Sequence, residues 1–212
     1  MAQDDAVTRP DSNPAGGAKR GPYSKGVKRR QQILDRALVV FDELGFERTS
    51  LRAIADEIGV THPTLVHYFG SREQLFLEVL REYDRRGVEL TEAGGLTEAL
   101  TRGVAYSTST PGLMALLNSM VARALESGNE HSREFFVQRY AQVRQQMVRV
   151  LEVGRAAGKV RDDVSLEDAA MLILAAADGL STQWLLDQRA DMRTGLLLLE
   201  RLLEPPGGLP AE

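Results

Sequence analysis

Apolar side chains recur at steps of three and four residues along most of this chain, with charged residues between them. That spacing places them on one face of an α-helix, and no segment has the alternate-residue pattern of a half-buried strand. The first clear stripe lies between Ile33 and Leu44, in a helix that begins near Val27. The pattern predicts an all-α fold of about nine helices, over 27–44, 50–58, 61–69, from 72 onward, near 96–106, 111–127 and 131–157, and over 165–188 and 191–204.

Capping residues stand where these stripes begin. A Ser, Thr or Asp side chain can accept a hydrogen bond from a backbone N–H of the first helical turn, which otherwise has no partner. The predicted N-caps are Thr49 or Ser50, Thr61, Ser71 within a Ser-Arg-Glu-Gln capping box, Ser165 and Asp191. Gly45 and Gly59 are expected to end the first two helices, because glycine adopts the left-handed conformation without steric cost.

The second and third helices have the spacing of a helix-turn-helix, in which two short helices cross over a tight turn. Ala55 is small enough for the third helix to pack against it, and Gly59 allows the turn. Leu65 supplies the apolar side chain by which the third helix packs against the second. A supporting first helix and consistent caps favour the same interpretation. The alternative is an ordinary helical hairpin.

The formal charge of −4 is unevenly distributed. Residues 1–72 carry net +2 (11 basic, 9 acidic) and residues 73–212 net −6 (15 basic, 21 acidic). Six basic residues fall within one twelve-residue segment that holds no acid: Lys19, Arg20, Lys25, Lys28, Arg29 and Arg30. Residues 1–26 are also rich in Pro, Gly, Ser and Asp, which predicts a disordered basic arm. Such an arm can enter the minor groove of DNA; alternatively, it is only a solvated tail.

The stretch from Ile33 to Leu80 resembles the DNA-binding domain of the TetR family of regulators. The matching segments are Phe41-Asp42-Glu43-Leu44-Gly45-Phe46, Thr49-Ser50-Leu51-Arg52-Ala53-Ile54-Ala55, Gly59-Val60-Thr61-His62-Pro63-Thr64-Leu65 and Tyr68-Phe69-Gly70-Ser71-Arg72-Glu73-Gln74-Leu75. Two positions depart from the pattern of many members, which have Tyr in place of Val66 and Lys in place of Arg72. Arg72 can still bind a phosphate, whereas Val66 cannot make the phosphate contact of a tyrosine.

The resemblance implies that the third helix binds in the major groove of duplex DNA. Thr64 can hydrogen-bond a base edge and offer its methyl group to thymine, and an arginine can bind guanine with two hydrogen bonds. Other side chains hold the phosphates and so fix the register of the protein on the duplex. The predicted contacts are base contacts from Thr64 and Arg52, phosphate or mixed contacts from His67 and Tyr68, register contacts from Ser50 and Arg72, and further polar contacts from Thr61, His62, Lys28 and Arg29.

The last two predicted helices are apolar around most of their circumference. The run Ala169–Ala177 contains no polar side chain. The leucines of the last helix cover more than one of its faces: Leu196–Leu199, Leu202 and Leu203. Such helices need burial on two sides, by their own core and by a second subunit; the alternative is one fully internal helix. The resemblance implies a homodimer through a four-helix interface of segments 165–188 and 191–204. A two-fold dimer predicts a pseudo-palindromic operator.

In the TetR family the remaining helices enclose a small ligand, whose binding separates the two DNA-binding units. The candidate lining residues are apolar or aromatic, although the simpler interpretation of each is core: Met114, Leu117, Met120, Phe136, Tyr140, Met147 and Trp184. The resemblance therefore implies a sequence-specific transcriptional repressor that an unidentified small-molecule effector releases from its operator. The alternative is a helical interaction protein without specific DNA binding.

Other classes of function have no motif here. The chain has no cysteine, and its three histidines lack the spacing of a metal site. Neither an enzyme nor a bound cofactor or metal is predicted, since the hydrolase, metalloprotease and dinucleotide motifs are missing. No apolar run approaches the roughly 18–20 residues that span a bilayer, and there is no secretion signal, which predicts a cytoplasmic protein. We expect a disordered basic arm over 1–26, a helix-turn-helix domain over 27–72, and a regulatory and dimerisation domain over 73–212.

Overall fold

The computed structural model describes residues 22–44, 50–91 and 94–206, and within these ranges every regular element is an α-helix. The predicted all-α fold is confirmed. The nine helices of the described ranges are α1 (Pro22–Leu44), α2 (Leu51–Ile58), α3 (His62–Phe69), α4 (Arg72–Thr91), α5 (Leu96–Ser109), α6 (Pro111–Ala124), α7 (Glu130–Ala156), α8 (Leu166–Leu186) and α9 (Met192–Leu202).

The first helix begins earlier than its apolar stripe indicates. It starts at Pro22, so residues 22–26 belong to α1 and not to the predicted arm. Proline suits the first position of a helix, because its fixed φ angle is helical and the N–H that it lacks would have no partner there. Lys19 and Arg20 lie outside the described residues, as do Gly45 and Thr49.

The predicted caps are formed at the N-termini of five helices. In each of five cases the side-chain oxygen accepts a hydrogen bond from the backbone N–H three residues further on: Ser50 from Ala53, Thr61 from Thr64, Ser71 from Gln74, Ser165 from Asp168 and Asp191 from Thr194. Gly59 ends α2 with φ +76°, in the left-handed region. The boundaries of α2, α3, α8 and α9 therefore follow from local chemistry.

The buried apolar side chains form two clusters. The first joins α1, α2, α3 and α4 to α6 and to the N-terminal part of α7, and Phe41 meets Phe76 edge to face in it, with ring centroids 5.0 Å apart. The second joins α5, α8 and α9 to the C-terminal part of α7, around Leu151, Ile173 and Leu196. The helix-turn-helix thus shares its core with α4, α6 and α7.

Helix α8 is the one helix in the described ranges that is long and apolar enough to cross a bilayer by length and composition. It has 21 residues and a mean hydropathy of 1.4, which corrects the expectation that no stretch approaches that length. A core or interface helix of a soluble protein meets the same criterion. Here α8 packs against α6, α7 and α9 and carries a charged residue, Asp178, in its second half.

Candidate nucleic-acid interface and internal cavity

The turn between α2 and α3 has the geometry that the sequence predicts. Ala55 and Leu65 are completely buried against each other's helices in the first cluster. The N–H of Val60 donates to the carbonyl oxygen of Ala55 at 2.9 Å, closing the turn over Gly59. The sequence positions that predict a helix-turn-helix therefore form one in the structure.

Helix α3 is buried on one side and polar on the other. Leu65 and Phe69 pack into the core, whereas His62 and His67 are exposed and Thr64 is partly exposed. The hydroxyl groups of Thr61 and Thr64 are 2.8 Å apart and hydrogen-bonded to each other. Each hydroxyl keeps further hydrogen-bonding capacity, so this side of α3 can bind a polar surface.

The other side chains near α3 that are predicted to contact DNA differ in how exposed they are. Arg52 on α2 and Ser50 at its N-terminus are exposed, and the Ser50 oxygen is already used as the cap. Tyr68 is half-buried against the first cluster, and the His67 ring lies edge-on to it with centroids 5.3 Å apart. Arg52 and His67 are thus the more accessible side chains of this set.

Arg72 lies against the core. Its guanidinium is 4.9 Å from the centroid of the Phe76 ring, and the side chain is only partly exposed. Burial, and then the positive charge of Arg123, lower the pKa of Arg72 below its ordinary value. The group remains a cation, because arginine does not deprotonate in proteins. Its phosphate contact remains a prediction.

The basic residues at the start of α1 divide into two groups. Lys25, Lys28 and Arg29 are exposed on α1. Arg30 instead forms a salt bridge with Glu78 of α4, at 2.6 Å, and its guanidinium lies 5.0 Å from the centroid of the Phe69 ring. Arg30 therefore helps to fix α1 to α4, which the run of basic residues alone does not indicate.

A cavity of about 560 Å³ lies between α4, α5, α6, α7, α8 and α9. Met114, Leu117, Tyr140 and Met147 line it, as the sequence analysis expects of a pocket. The other three candidates are wrong for this cavity, because they do not line it: Met120, Phe136 and Trp184. Met120 and Phe136 belong to the first cluster, where their side chains fill space and leave no room for a ligand. A volume of this size is in the range of pockets that hold drug-sized molecules.

Two hydrogen-bonded carboxylates are among the polar groups that line this mostly apolar cavity. Arg139 of α7 donates to both oxygens of Asp84 on α4, at 2.7 and 2.8 Å. The Tyr140 hydroxyl donates to Asp178 of α8 at 2.7 Å. Burial opposes the charge on Arg139, but Asp84, and after it Asp178, raise its pKa above the ordinary value. Burial and the hydrogen bond to Asp178 raise the pKa of Tyr140 to about 12, so it is a donor at neutral pH.

Two tyrosines form another part of the wall. The rings of Tyr83 on α4 and Tyr106 on α5 stack with centroids 4.8 Å apart. The Tyr106 hydroxyl donates to the carbonyl oxygen of Tyr83 at 3.1 Å, and burial is the main cause of the raised pKa of both phenols. The cavity therefore offers aromatic faces beside the two carboxylates.

Asp84, Arg139 and Asp178 are not among the residues predicted from the sequence, although a signal for one of them is present. Asp178 directly follows the uninterrupted apolar run of α8, and a charge that interrupts such a run points to a polar partner or a function. Asp84 and Arg139 stand among many exposed charges of α4 and α7. Only the packing of the two helices shows that they pair.

Two walls of the cavity also contact α1, the helix that packs against the helix-turn-helix. On α4, Glu78 and Arg86 form salt bridges with Arg30 and Asp35 of α1, at 2.6 and 2.5 Å. At the start of α6, the N–H of Gly112 donates to the side chain of Asp42 of α1 at 3.1 Å. Both walls are therefore joined to α1 by polar contacts.

Two models of known protein families match successive parts of the chain. The model for bacterial regulatory proteins of the tetR family matches residues 33–79, and the model for the C-terminal domain of BetI-type transcriptional repressors matches residues 94–205. The second match alone covers more than half of the chain.

Curated and solved proteins agree with these matches. The HTH-type transcriptional repressor Rv1474c of Mycobacterium tuberculosis is 28% identical over 152 residues, which are 72% of this chain and 80% of that protein. Salmonella enterica GusR has a similar structure, with a TM-score of 0.65 and 24% identity over 87% of this chain and 96% of that one. FadR of Thermus thermophilus, a TetR-family repressor solved with lauroyl-CoA, has a TM-score of 0.57 and 20% identity, covering 87% of this chain and all of that one. At these identities the two structures establish similarity of fold.

Proposed function

Since this chain belongs to the TetR family of transcriptional regulators, we propose that it represses transcription from a pseudo-palindromic operator until a small ligand fills its cavity. That it is a DNA-binding regulator follows from the family. The symmetry of the operator, the contacts made to it and the nature of the effector are our proposals. One observation carries the mechanism: α4 and α6 line the cavity and also contact α1.

The polar side of α3 would bind in the major groove. Thr64 and Arg52 would read base edges, because a threonine hydroxyl and an arginine guanidinium have the donors for this purpose. His67 and Tyr68 would hold the phosphates beside them. In the same proposal Ser50 and Arg72 fix the register, and the remaining polar contacts come from Thr61, His62, Lys28 and Arg29.

The dimer would place two such units on one side of the duplex. The outward face of α8 and α9 is apolar and exposed, and two copies of it can form the four-helix interface. A two-fold axis between the subunits requires half-sites related by the same symmetry, about one helical turn or a multiple apart.

Release would result from a shift between two arrangements of the dimer. A ligand changes this balance only if it binds one arrangement more tightly than the other. A molecule in the cavity touches α4 and α6, so it can favour an arrangement in which the two α3 helices no longer fit successive major grooves. FadR of Thermus thermophilus, solved with lauroyl-CoA, supports the proposal that this fold holds a small effector. In keeping with such a role, we propose a cytoplasmic protein without enzymatic activity or cofactor.

The test is selection from a randomised duplex library at two salt concentrations, followed by sequencing of the bound sites. We expect a two-fold pseudo-palindrome. Arg52→Ala should then weaken binding by about 1–3 kcal/mol and relax the preference at one position of each half-site. Arg189→Ala, which removes an exposed arginine far along the chain, is the matched control and should change neither.

Weak binding without sequence preference, lost as salt rises, would contradict the proposal. The helix-turn-helix would then be a scaffold, and the alternative of a helical interaction protein would replace a specific regulator.

A further inference from the structure

Helix α3 exposes only short side chains. It contains neither lysine nor arginine, and apart from Tyr68 its exposed or partly exposed residues are His62, Pro63, Thr64, Val66 and His67. The major groove of DNA is wide enough to admit an α-helix. Because no long side chain of α3 stands between the helix and the bases, the helix backbone can lie close to them. At that distance even a short side chain reaches a base edge.

Val66 forms an apolar part of this exposed side. It is 39% exposed, whereas Leu65 and Phe69 are buried in the core. Successive residues of an α-helix are about 100° apart around its axis, so Val66 lies about 40° from His62 and about 60° from Pro63. Pro63 is exposed as well. Val66 and Pro63 therefore lie side by side and form one small apolar surface.

An apolar surface in the major groove distinguishes between bases. The 5-methyl group of thymine is the apolar group in the major-groove pattern of the four bases, and the other groups are hydrogen-bond donors and acceptors. A donor or acceptor covered by Val66 would lose its water without gaining a hydrogen bond, which is unfavourable. A thymine methyl gains from the same contact, because both apolar groups leave water. The chemistry of Val66 thus favours thymine.

We propose that Val66, with Pro63 beside it, contacts the methyl group of one thymine in each half-site and so specifies that base. This inference rests on the proposed function and adds a base of the operator and the residue that reads it. Thr64 lies about 160° from Val66 around the helix axis, so the two residues read different base pairs.

Replacement of single thymines by deoxyuridine, in the operator recovered from the randomised library, tests the contact. Deoxyuridine pairs like thymidine and differs from it only in lacking the methyl group. We expect at least one thymine whose replacement weakens binding about fourfold per half-site, and about fifteenfold when both half-sites are changed, as one methyl contact per half-site implies. A half-site without thymine, or one in which no replacement weakens binding, overturns the proposal.

Val66→Ala identifies the side chain that makes the contact. The variant should bind the thymine operator about as weakly as the wild type binds the deoxyuridine operator, and it should no longer distinguish the two. Val137→Ala, which shortens an exposed valine of α7, is the matched control and should distinguish them like the wild type. If Val66→Ala weakens both operators equally, Val66 supports the fold of α3 and reads no base. If the variant still distinguishes them, another residue reads the methyl group. Either result overturns the proposal.

The selection itself separates this inference from the proposed function. If no preferred sequence is recovered, specific DNA binding fails and the reading of thymine fails with it. If a pseudo-palindrome is recovered but no thymine in it depends on Val66, only the present inference fails, and the specific regulator stands.

Discussion

Among single residues, Glu82 of α4 links the stability of the protein to pH. Glu82 is 6% exposed, and its carboxylate accepts hydrogen bonds from Arg85 and Arg86. The hydrogen bond from Arg85 is the main cause that lowers the pKa of Glu82 from 4.5 to about 2, against the opposing effect of burial. Because Arg86 also pairs with Asp35 of α1, Glu82 positions a side chain that binds α1 to α4.

A group whose pKa falls on folding stabilises the protein when it is ionised in both states. The contribution of Glu82 is therefore fully present above its ordinary pKa of 4.5 and is lost as the pH falls towards 2. We expect Glu82→Gln to melt below the wild type at about pH 7, with the difference shrinking as the pH approaches 2. Thermal unfolding followed by circular dichroism measures this difference, with the exposed Glu126→Gln as control. A difference that stays constant with pH would show that packing, not charge, explains the effect.

The residues that the sequence analysis places correctly are those whose role depends on near neighbours. Ser50 and Thr61 cap their helices through hydrogen bonds to a backbone three positions away, so a few letters of sequence suffice. Whether an inward-facing residue borders filled or empty space depends on distant parts of the chain. Phe136 and Met147 both face inward on α7, yet the first fills the core and the second lines the cavity.

At the level of helices, α6 approaches the backbone of α1 closely at Gly112. A Cβ atom on Gly112 would lie 2.3 Å from the carbonyl oxygen of Phe41 and 2.6 Å from the Cα of Asp42. Both are backbone atoms, which cannot rotate away as the end of a side chain can. Gly112 thus allows the contact through which α6 can act on α1.

Gly112→Ala should therefore push α6 and α1 apart. We expect a loss of about 1–3 kcal/mol in the free energy of unfolding, measured with urea, and a lower affinity for the operator. Gly103→Ala is the control, because a Cβ atom there meets nothing within 4 Å, and alanine in a helix is more favourable than glycine by roughly 0.5–1 kcal/mol. Equal stability of the two variants would show that the contact between α1 and α6 accommodates a methyl group without a loss in the free energy of unfolding.

Helix boundaries and helix partners differ in how well a sequence predicts them. The predicted start of α5 is correct, and its predicted end at residue 106 falls three residues short of Ser109. Nothing local, however, indicates that Asp42 of α1 accepts a hydrogen bond from Gly112, since the two are 70 residues apart. The apolar stripes predict that each helix packs against others, but only the three-dimensional structure identifies the partner helices.

For the molecule as a whole, the exposed apolar face of α8 and α9 leads to a prediction about assembly. Met171 and Leu172 are 48% and 59% exposed, and Leu198 and Leu202 are 54% and 61% exposed. Leu172→Glu would bury a charge in the proposed dimer interface, so we expect a monomer by sedimentation and a strong loss of affinity for a two-fold site. Val137→Glu, which changes an equally exposed residue on α7, should remain a dimer. A dimeric Leu172→Glu protein would place the interface elsewhere.

For the whole molecule we also predict that the basic residues ahead of α1 contribute to the dependence of DNA affinity on salt. Helix α3 contains neither lysine nor arginine, so cations elsewhere must neutralise the phosphates. Since α1 begins at Pro22, deletion of residues 1–21 removes Lys19 and Arg20 but leaves the helix complete. If each of them neutralises one phosphate, the deletion should flatten the slope of log affinity against log salt by about 2 and weaken binding at low salt most.

Replacing Lys28 and Arg29 by glutamine in the full-length chain separates the arm from the helix that follows it. These residues are exposed on α1, and their loss should flatten the slope independently of the deletion, so that the two changes add. Titrations of the operator at several salt concentrations measure both slopes. If the deletion leaves the slope unchanged while the α1 substitutions flatten it, the residues ahead of Pro22 do not bind DNA, and the exposed cations of α1 account for the electrostatic part of the affinity.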